Sequence, residues 1–589
     1  MIRHNLTWSI IAIAVSGTAS LSSAEPATQA PTQRLVKNVD LERGTSDVSS
    51  WLNYGGSYDN SRFSPLAEIN DKNVNSLEKV WQFSKDIPGP METSPVVFNG
   101  VMYLTMSSNN VFALDAKTGF ELWHYKYENA AAALTCCGAI SRGVAFSGNN
   151  LYMATLDGRM VAIDQFTGKE VWRTQLNLNK DGTTDIGASF TSAPLIVKNL
   201  AIIGSAGGEF KSPGFIAAVD TTTGKLVWKI YTVPTSADSP GVNTWYKDSW
   251  KYGGAPAWAT GTYDVKTGLL YWTTGNPGLD WASAHRAGDN LYSDSVLALD
   301  PATGEMKWYF QFTPHDIWDF DATNGIVVTD LKIGGKDRRV LLQPNRNGFV
   351  YVLDAKTGQF ISGTQYTDRL NWATGLTPEG RPIVAPGFEQ NNHGKTMYPG
   401  SFGGNNGAFT WAYNPLMRFM YIPSMESGVV LKETELKDDE EMPCEQGPKA
   451  CLGGDVADFG GKHLDPNDPN PPYGTVTAFE PEIGQIRWQY RDKYPMMGGA
   501  LATAGNLVFT GNLSGTFIAL NGFNGKPVWT FKTNAAVRSQ PITYKIDGRQ
   551  YVAIASGGGG IVQFLAGQPS DGIDLLNSHV TVFALPEKK

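Results

Sequence analysis

Residues 134–142 read LTCCGAISR, and the adjacent Cys136 and Cys137 are an unusual choice in a chain with four cysteines. Neighbouring Cα atoms stand about 3.8 Å apart across a trans peptide, below the usual span of a disulfide. If oxidised, the pair makes a strained, stiff ring. It closes no loop, so chain-entropy stabilisation is no reason for it. The other two cysteines, Cys444 and Cys451 in PCEQGPKAC, suit a small stapled loop. No C-x-x-C spacing occurs, which argues against a zinc site of that type and against covalent c-type haem. A second chemically suggestive pair is Asp319 and Asp321 in TPHDIWDFD. On a strand, a spacing of two puts both carboxylates on one face.

The elements that must position such residues are announced by a repeat. An apolar strand ends in an acidic residue or Asn, Gly follows four residues on, and Trp often stands eight on. The instances are Asp115/Gly119/Trp123, Asp164/Gly168/Trp172, Asp220/Gly224/Trp228, Asp264/Gly268/Trp272 and Asp300/Gly304/Trp308. Asp354/Gly358 follows with Ser362 in the Trp place, then Glu480/Gly484/Trp488 and Asn521/Gly525/Trp529. Each reads as a hairpin: the acidic residue ends one strand and caps the turn, Gly takes positive φ, and Trp lies on the returning strand. Helical periodicity is scarce. The expectation is all-β, an eight-bladed β-propeller with Trp-containing blade repeats over residues 25–589. The long interval between Gly358 and Gly484 predicts a degenerate blade near 408–426 and an insertion over about 432–472. The strand at 580–586 is expected to join the N-terminal blade and close the ring, with the Trp residues wedged between neighbouring blades.

Bulk properties narrow the function. Of 589 residues, 41% are hydrophobic and 18% charged, so the chain is globular. The net charge of −8 argues against a nucleic-acid partner and allows a basic protein partner. At the start, Arg3 and His4 precede an apolar run from Trp8 to Val15 and then small residues, which reads as a signal peptide over 1–24 cleaved after Ala24. The run is too short to span a membrane. Export to the periplasm is expected, where the four cysteines can form two disulfides.

A propeller alone names no function. The pattern, together with residues that break it, resembles the quinoprotein alcohol dehydrogenases, which use pyrroloquinoline quinone (PQQ). The resemblance runs from WLNYGGSYDNSRFSPLAEINDKNVNSLEKVW (51–81) to the closing strand. It implies that Cys136 and Cys137 form a disulfide against one face of the planar quinone and that Trp258, in GGAPAWATGTYD, stacks on the other. Arg142 and Arg346 match the arginines that meet the cofactor's carboxylates and quinone oxygens. Glu92, Thr191, Ala206, Gly207, Gly208 and Asn406 match further cofactor contacts, with Asn405 an alternative to Asn406. Glu209, Asn276 and Asp319 match metal ligands, an all-oxygen set suited to a hard cation. In the family, Asp at position 321 goes with a lanthanide and a small or non-acidic residue with Ca²⁺. A lanthanide(III) is therefore favoured, with Ca²⁺ the alternative. Where many members have Trp, YPMMGGALATAGNLVF has Met497, which softens the pocket.

The implied activity is oxidation of small alcohols to aldehydes or ketones by metal-assisted hydride transfer to PQQ. Asp319 is the implied general base, and electrons pass to a periplasmic cytochrome c. A calcium-dependent member with the same activity and a non-enzymatic propeller scaffold are the rivals. The sequence leaves monomer and homodimer both open.

Overall fold

The hairpins form as their turn chemistry dictates. Asp115 Oδ1 accepts hydrogen bonds from the backbone N–H of Lys117 (3.0 Å) and Thr118 (2.8 Å) and from the Thr118 hydroxyl (2.8 Å). Gly119 closes the turn at φ +76°. Asp164, Asp220 and Asp354 make the same three contacts in their own turns. This turn lets the returning strand carry its Trp outward toward the next blade.

The computed structural model describes residues 34–130, 134–434, 454–458, 471–558 and 578–587, with 454–458 as backbone only. The expected signal peptide and the Cys444–Cys451 loop lie outside the described residues. Eight sheets of four antiparallel strands make the blades. One of them gains a fifth, parallel strand through Phe63 opposite Ala502. The chain closes on itself where Glu78–Lys85 pairs with Ser578–Ala584, two residues earlier than the sequence predicts. The degenerate blade is Ala412–Asn414 and Phe419–Glu426 with Tyr473–Glu480 and Gln485–Asp492. Between its second and third strands the chain leaves the blade, and Val430–Glu433 pairs with Gly454–Asp458 at the base of the insertion.

The tryptophans lie between blades. A Cβ placed on Gly168 would stand 2.7 Å from Trp123, and one on Gly224 the same distance from Trp172. Gly304 meets Trp228, Gly358 meets Trp308 and Gly525 meets Trp488 in the same way. The Trp123 and Trp228 indoles then donate to Gln165 and Pro301 carbonyls of the following blade, both at 3.0 Å. Trp228 is buried and Trp123 half-buried, so each ring contributes up to roughly 1.5–3 kcal/mol, the value for full burial. Where Ser362 replaces Trp, Gly484 faces only Thr364.

One repeat is misread by the sequence. Asp264/Gly268/Trp272 is the turn between the first and second strands of the blade whose third and fourth strands carry Asp300/Gly304/Trp308. Nothing lies within 4 Å of a Cβ on Gly268. Trp272 is in the core, donating to the Ala257 carbonyl at 2.9 Å. The eighth blade is instead the one sealed by both chain ends.

This topology decides where chemistry can sit. Strands alternate in direction, so the Asp–Gly–Trp hairpins occupy one face of the propeller. The loops entering each first strand and the turns between second and third strands occupy the other. First strands such as Ala145–Ser147 and Leu195–Val197 are short and largely buried; last strands such as Glu170–Gln175 and Met306–Gln311 alternate half-buried and exposed.

Candidate functional site

Loops on that second face enclose a cavity of about 210 Å³. Loops leading into first strands deliver Glu92, Arg142, Thr191, Trp258, Asp319, Asp321, Asn406 and Met497 to its wall. Turns between second and third strands deliver Ala206, Gly207, Glu209 and Arg346. Cys136 and Cys137 are disulfide-bonded and line the same cavity.

The cationic end is built around Glu92. Its Oε2 lies 2.7 Å from Arg142 Nη2. Arg142 also donates to Thr191 Oγ1 at 2.7 Å, and its guanidinium carbon stands 4.9 Å from the Trp258 ring centre. The other Glu92 oxygen is ion-paired to Arg538, a cavity-lining residue that sequence reasoning did not single out.

The acidic end follows from two constrained segments. Gly207 has φ +100°, and a Cβ there would lie 1.8 Å from the Gly187 carbonyl oxygen, so no other residue fits. Gly208 opens the short turn Gly208–Phe210, which carries Glu209, but is not itself on the wall. The second segment corrects the strand expectation for Asp319 and Asp321. Both have left-handed backbone, φ +59° and +43°, in a loop. Asp can adopt this conformation at modest cost. The loop is held from behind by Asp316, which accepts the backbone N–H of Trp318 (2.9 Å) and Phe320 (2.8 Å). Both side chains still reach the cavity.

Arg346 ties this loop down. It donates through Nη1 to the carbonyls of Asp319 (2.8 Å) and Ser401 (2.7 Å), and Nη2 lies 3.1 Å from Asp321 Oδ2. Trp258 Nε1 donates to the same Asp321 oxygen at 3.2 Å. Asn276 is not part of the wall. It lies behind it, its backbone N–H donating to Asp321 Oδ1 at 3.1 Å. Asn406 lines the cavity, whereas Asn405 turns away to donate to the carbonyls of Phe409 and Pro423.

Asp280 also lines the cavity and was missed by the sequence. It follows Asn276 by four residues in GNPGLDW, a spacing that carries no repeat or motif signal. Burial pushes the carboxyls of Glu209 (to about 7), Asp280 and Asp319 upward; neighbouring Asp321 adds to each shift, and Arg346 opposes the shift at Asp319. Glu209 Oε2 and Asp280 Oδ1 have no hydrogen-bond partner. Among the described residues, no three His, Cys, Asp or Glu side chains are closed up as a preformed metal cage. The oxygen-only donors, their mutual repulsion and the partnerless oxygens nevertheless fit a hard cation, which would offset all three. An electron-poor planar ring with carboxylates fits the rest: an indole and a disulfide on the wall, guanidinium groups at both ends.

Comparison with known proteins bears on the whole chain. A family model described as the PQQ glucose/ethanol/alcohol dehydrogenase β-propeller domain matches residues 51–368 and 380–552. The quinoprotein alcohol dehydrogenase PedH of Pseudomonas putida is 37% identical over 580 residues, covering 94% of each chain. Among solved structures, the quinohemoprotein alcohol dehydrogenase of Comamonas testosteroni superposes with a TM-score of 0.84 at 31% identity, over 94% of this chain and 83% of that one. A europium-containing methanol dehydrogenase superposes with a TM-score of 0.80 at 30% identity, over 93% of this chain and all of that one. With a family model matched across most of its length and relatives of one activity aligned nearly end to end, this chain belongs to the PQQ-dependent alcohol dehydrogenases, oxidoreductases that act on alcohols.

Proposed function

We propose that this chain oxidises small alcohols in the periplasm, using PQQ and one lanthanide(III) ion held in the cavity, and passes the electrons to a cytochrome c. The observation that carries this reading is the pairing of Asp319 and Arg346 on the cavity wall. They place a carboxylate and a guanidinium beside each other, Nη1 to Oδ1 3.7 Å.

When bound, PQQ supplies the two-electron acceptor and the cation supplies Lewis acidity. Glu209, Asn276, Asp319 and Asp321 are the residues that would hold the cation. For Asn276 this requires its side chain to turn toward the cavity. Asp319 accepts the alcohol's hydroxyl proton at its carboxylate. Arg346 offsets negative charge that develops during the reaction through its fixed fork of donors. Trp258 and the Cys136–Cys137 ring, both on the cavity wall, are the residues that would hold the cofactor by its faces. Phe402, Phe409 and Met497 add apolar surface to the wall, which would shield the reacting carbon from water.

The lanthanide preference is supported by Asp321, which adds a carboxylate where a trivalent charge needs one. The calcium reading has its own observation. Both Asp321 oxygens already accept hydrogen bonds from Asn276, Arg346 and Trp258, so this carboxylate has a structural occupation without metal. Transfer to a cytochrome c is supported by the acidic net charge, which suits a basic partner. Export is supported by the N-terminal sequence. Among the described residues, no helix is long and apolar enough to cross a membrane.

The test is made on protein produced without metal and loaded with PQQ. Alcohol-dependent dye reduction is measured with Ca²⁺ and, separately, with La³⁺. Activity with La³⁺ alone is the expected result. Activity with Ca²⁺ alone replaces the lanthanide by calcium and leaves the dehydrogenase reading intact. No PQQ binding and no turnover with either ion leaves the propeller scaffold as the better reading.

A further inference from the structure

The cavity is bipolar. Glu209, Asp280, Asp319 and Asp321 crowd one end; at the other, a single carboxylate, Glu92, is shared by two guanidinium groups. Arg538 stands in the loop before Ile542–Ile546, the first strand of the sealing blade. It is 2% exposed, and Arg142 is 6% exposed. Two buried positive charges facing one negative charge leave an excess of one. Unbalanced buried charge is costly unless something pairs with it.

The hydrogen-bond inventory points the same way. Arg538 uses Nη2 on Glu92, while its Nε and Nη1 are buried without a partner. Arg142 spends Nη1 on Thr191 and Nη2 on Glu92, and its Nε is likewise unmet. A guanidinium placed only to neutralise Glu92 gains nothing from leaving two buried donors idle on the wall of a cavity. Donors left open there suit an anion arriving from the cavity side, and a carboxylate forms the stronger, charge-assisted kind of hydrogen bond with guanidinium.

We propose that Arg538 is a cofactor-anchoring residue, which together with Arg142 takes a carboxylate of the bound cofactor through the N–H groups that Glu92 leaves free. This rests on the reading that PQQ occupies this cavity. Glu92 then acts as a positioning residue, fixing two guanidiniums that would otherwise repel each other. The same pairing sets orientation. A tricarboxylate ring enters with its acidic edge toward Arg142 and Arg538, where two guanidiniums share one carboxyl group, because at the opposite end four carboxyl groups face one guanidinium, Arg346.

The experiment reads binding, not turnover. PQQ is titrated into metal-free wild-type protein, Arg538→Gln and Arg538→Lys, following tryptophan fluorescence. The trimethyl ester of PQQ is titrated in parallel, and the melting temperature of each PQQ-free protein is recorded. Loss of a charge-assisted contact is expected to weaken PQQ binding by Arg538→Gln about 10- to 100-fold. Esterification is expected to weaken binding less in the variant than in wild type, since the contact it destroys is already gone. Arg538→Lys keeps the charge with a single donor group and serves if the Gln variant does not fold; it is expected to bind more weakly than wild type. Unchanged PQQ affinity in the variants, with only the melting temperature lowered, overturns the inference and leaves Arg538 as a counter-ion to Glu92. Failure of the wild-type protein itself to bind PQQ overturns the occupancy reading, and this inference with it.

Discussion

Arg346 Nη2 and Asp321 Oδ2 are 3.1 Å apart, and the same guanidinium donates through Nη1 to the carbonyl of Asp319, two residues back. One buried arginine thus grips both a side chain and the backbone of a loop in left-handed conformation. Asp321 is in turn shared between holding the loop and any metal role. Asp321→Asn separates the two. The amide oxygen still accepts from Arg346 or Trp258, but a negative charge is gone. Affinity for Tb³⁺, read by sensitised luminescence, is expected to fall roughly tenfold or more, and Ca²⁺ affinity by less, because carboxylate count matters more to the higher charge. Equal losses for both ions leave Asp321 as a structural acceptor only.

Asp319→Asn addresses the proton-accepting role. The Asp319 carbonyl bond to Arg346 is a backbone contact and survives the substitution. The circular dichroism spectrum and PQQ binding are therefore expected to be retained. Turnover is expected to drop by about 10²- to 10⁴-fold, the range for a lost general base. Turnover within a few-fold of wild type moves the base elsewhere, with Asp280, a wall carboxyl with an oxygen free of hydrogen bonds, the next candidate.

The fold was legible because propeller blades repeat a local solution. The Asp–Gly–Trp spacing encodes a turn capped within a few residues and a Trp that meets the corresponding Gly of the following blade, so each repeat carries its own hairpin and its own joint. It misled at Asp264 because the same turn chemistry also closes a first-to-second-strand hairpin, where Trp272 points into the core of its blade. The site was legible only in part. Asp319 and Asp321 were found, but their left-handed backbone was not: HDIWDFDA contains no Gly, and what stabilises the loop is a local cap by Asp316 together with Arg346, which arrives through a tertiary contact. Asp280 and Arg538 were missed for the same reason. Each is a single residue in a loop with no periodicity, and its meaning comes from neighbours such as Glu209 and Glu92 that are remote in sequence.

The wedge can be measured by comparing two glycines. Gly168 (φ +68°) and Gly268 (φ +72°) have nearly the same backbone, but only Gly168 faces a ring: a methyl added there would stand 2.7 Å from Trp123. Gly168→Ala incurs left-handed strain of about 1–2 kcal/mol together with overpacking of about 1–3 kcal/mol. Gly268→Ala incurs the strain alone. The expected result in thermal denaturation is a clearly larger drop in melting temperature for Gly168→Ala. Equal drops mean that the blades yield around the added methyl and that the Trp contact is loose.

Glu426 gives the pH dependence. It ends the second strand of the degenerate blade, is buried, and accepts the backbone N–H groups of Asp368 (3.1 Å) and Arg369 (3.3 Å). Burial, aided by the Asp368 charge, raises its carboxyl from 4.5 to about 7, against the pull of those two N–H groups and the Arg369 charge. The folded state therefore binds this proton more tightly than the unfolded chain does. Between pH 4.5 and 7 the folded protein holds more protons, so Glu426 makes stability fall as pH rises through that window; below it the group is neutral in both states. The full shift corresponds to about 3 kcal/mol. Glu426→Gln carries no titrating proton. Its stability relative to wild type is expected to climb by up to about this amount from roughly pH 4.5 to 8, seen as melting curves that converge in acid and separate at neutral pH. A constant offset between the two proteins across that range means that Glu426 is charged throughout and that Arg369 compensates its burial.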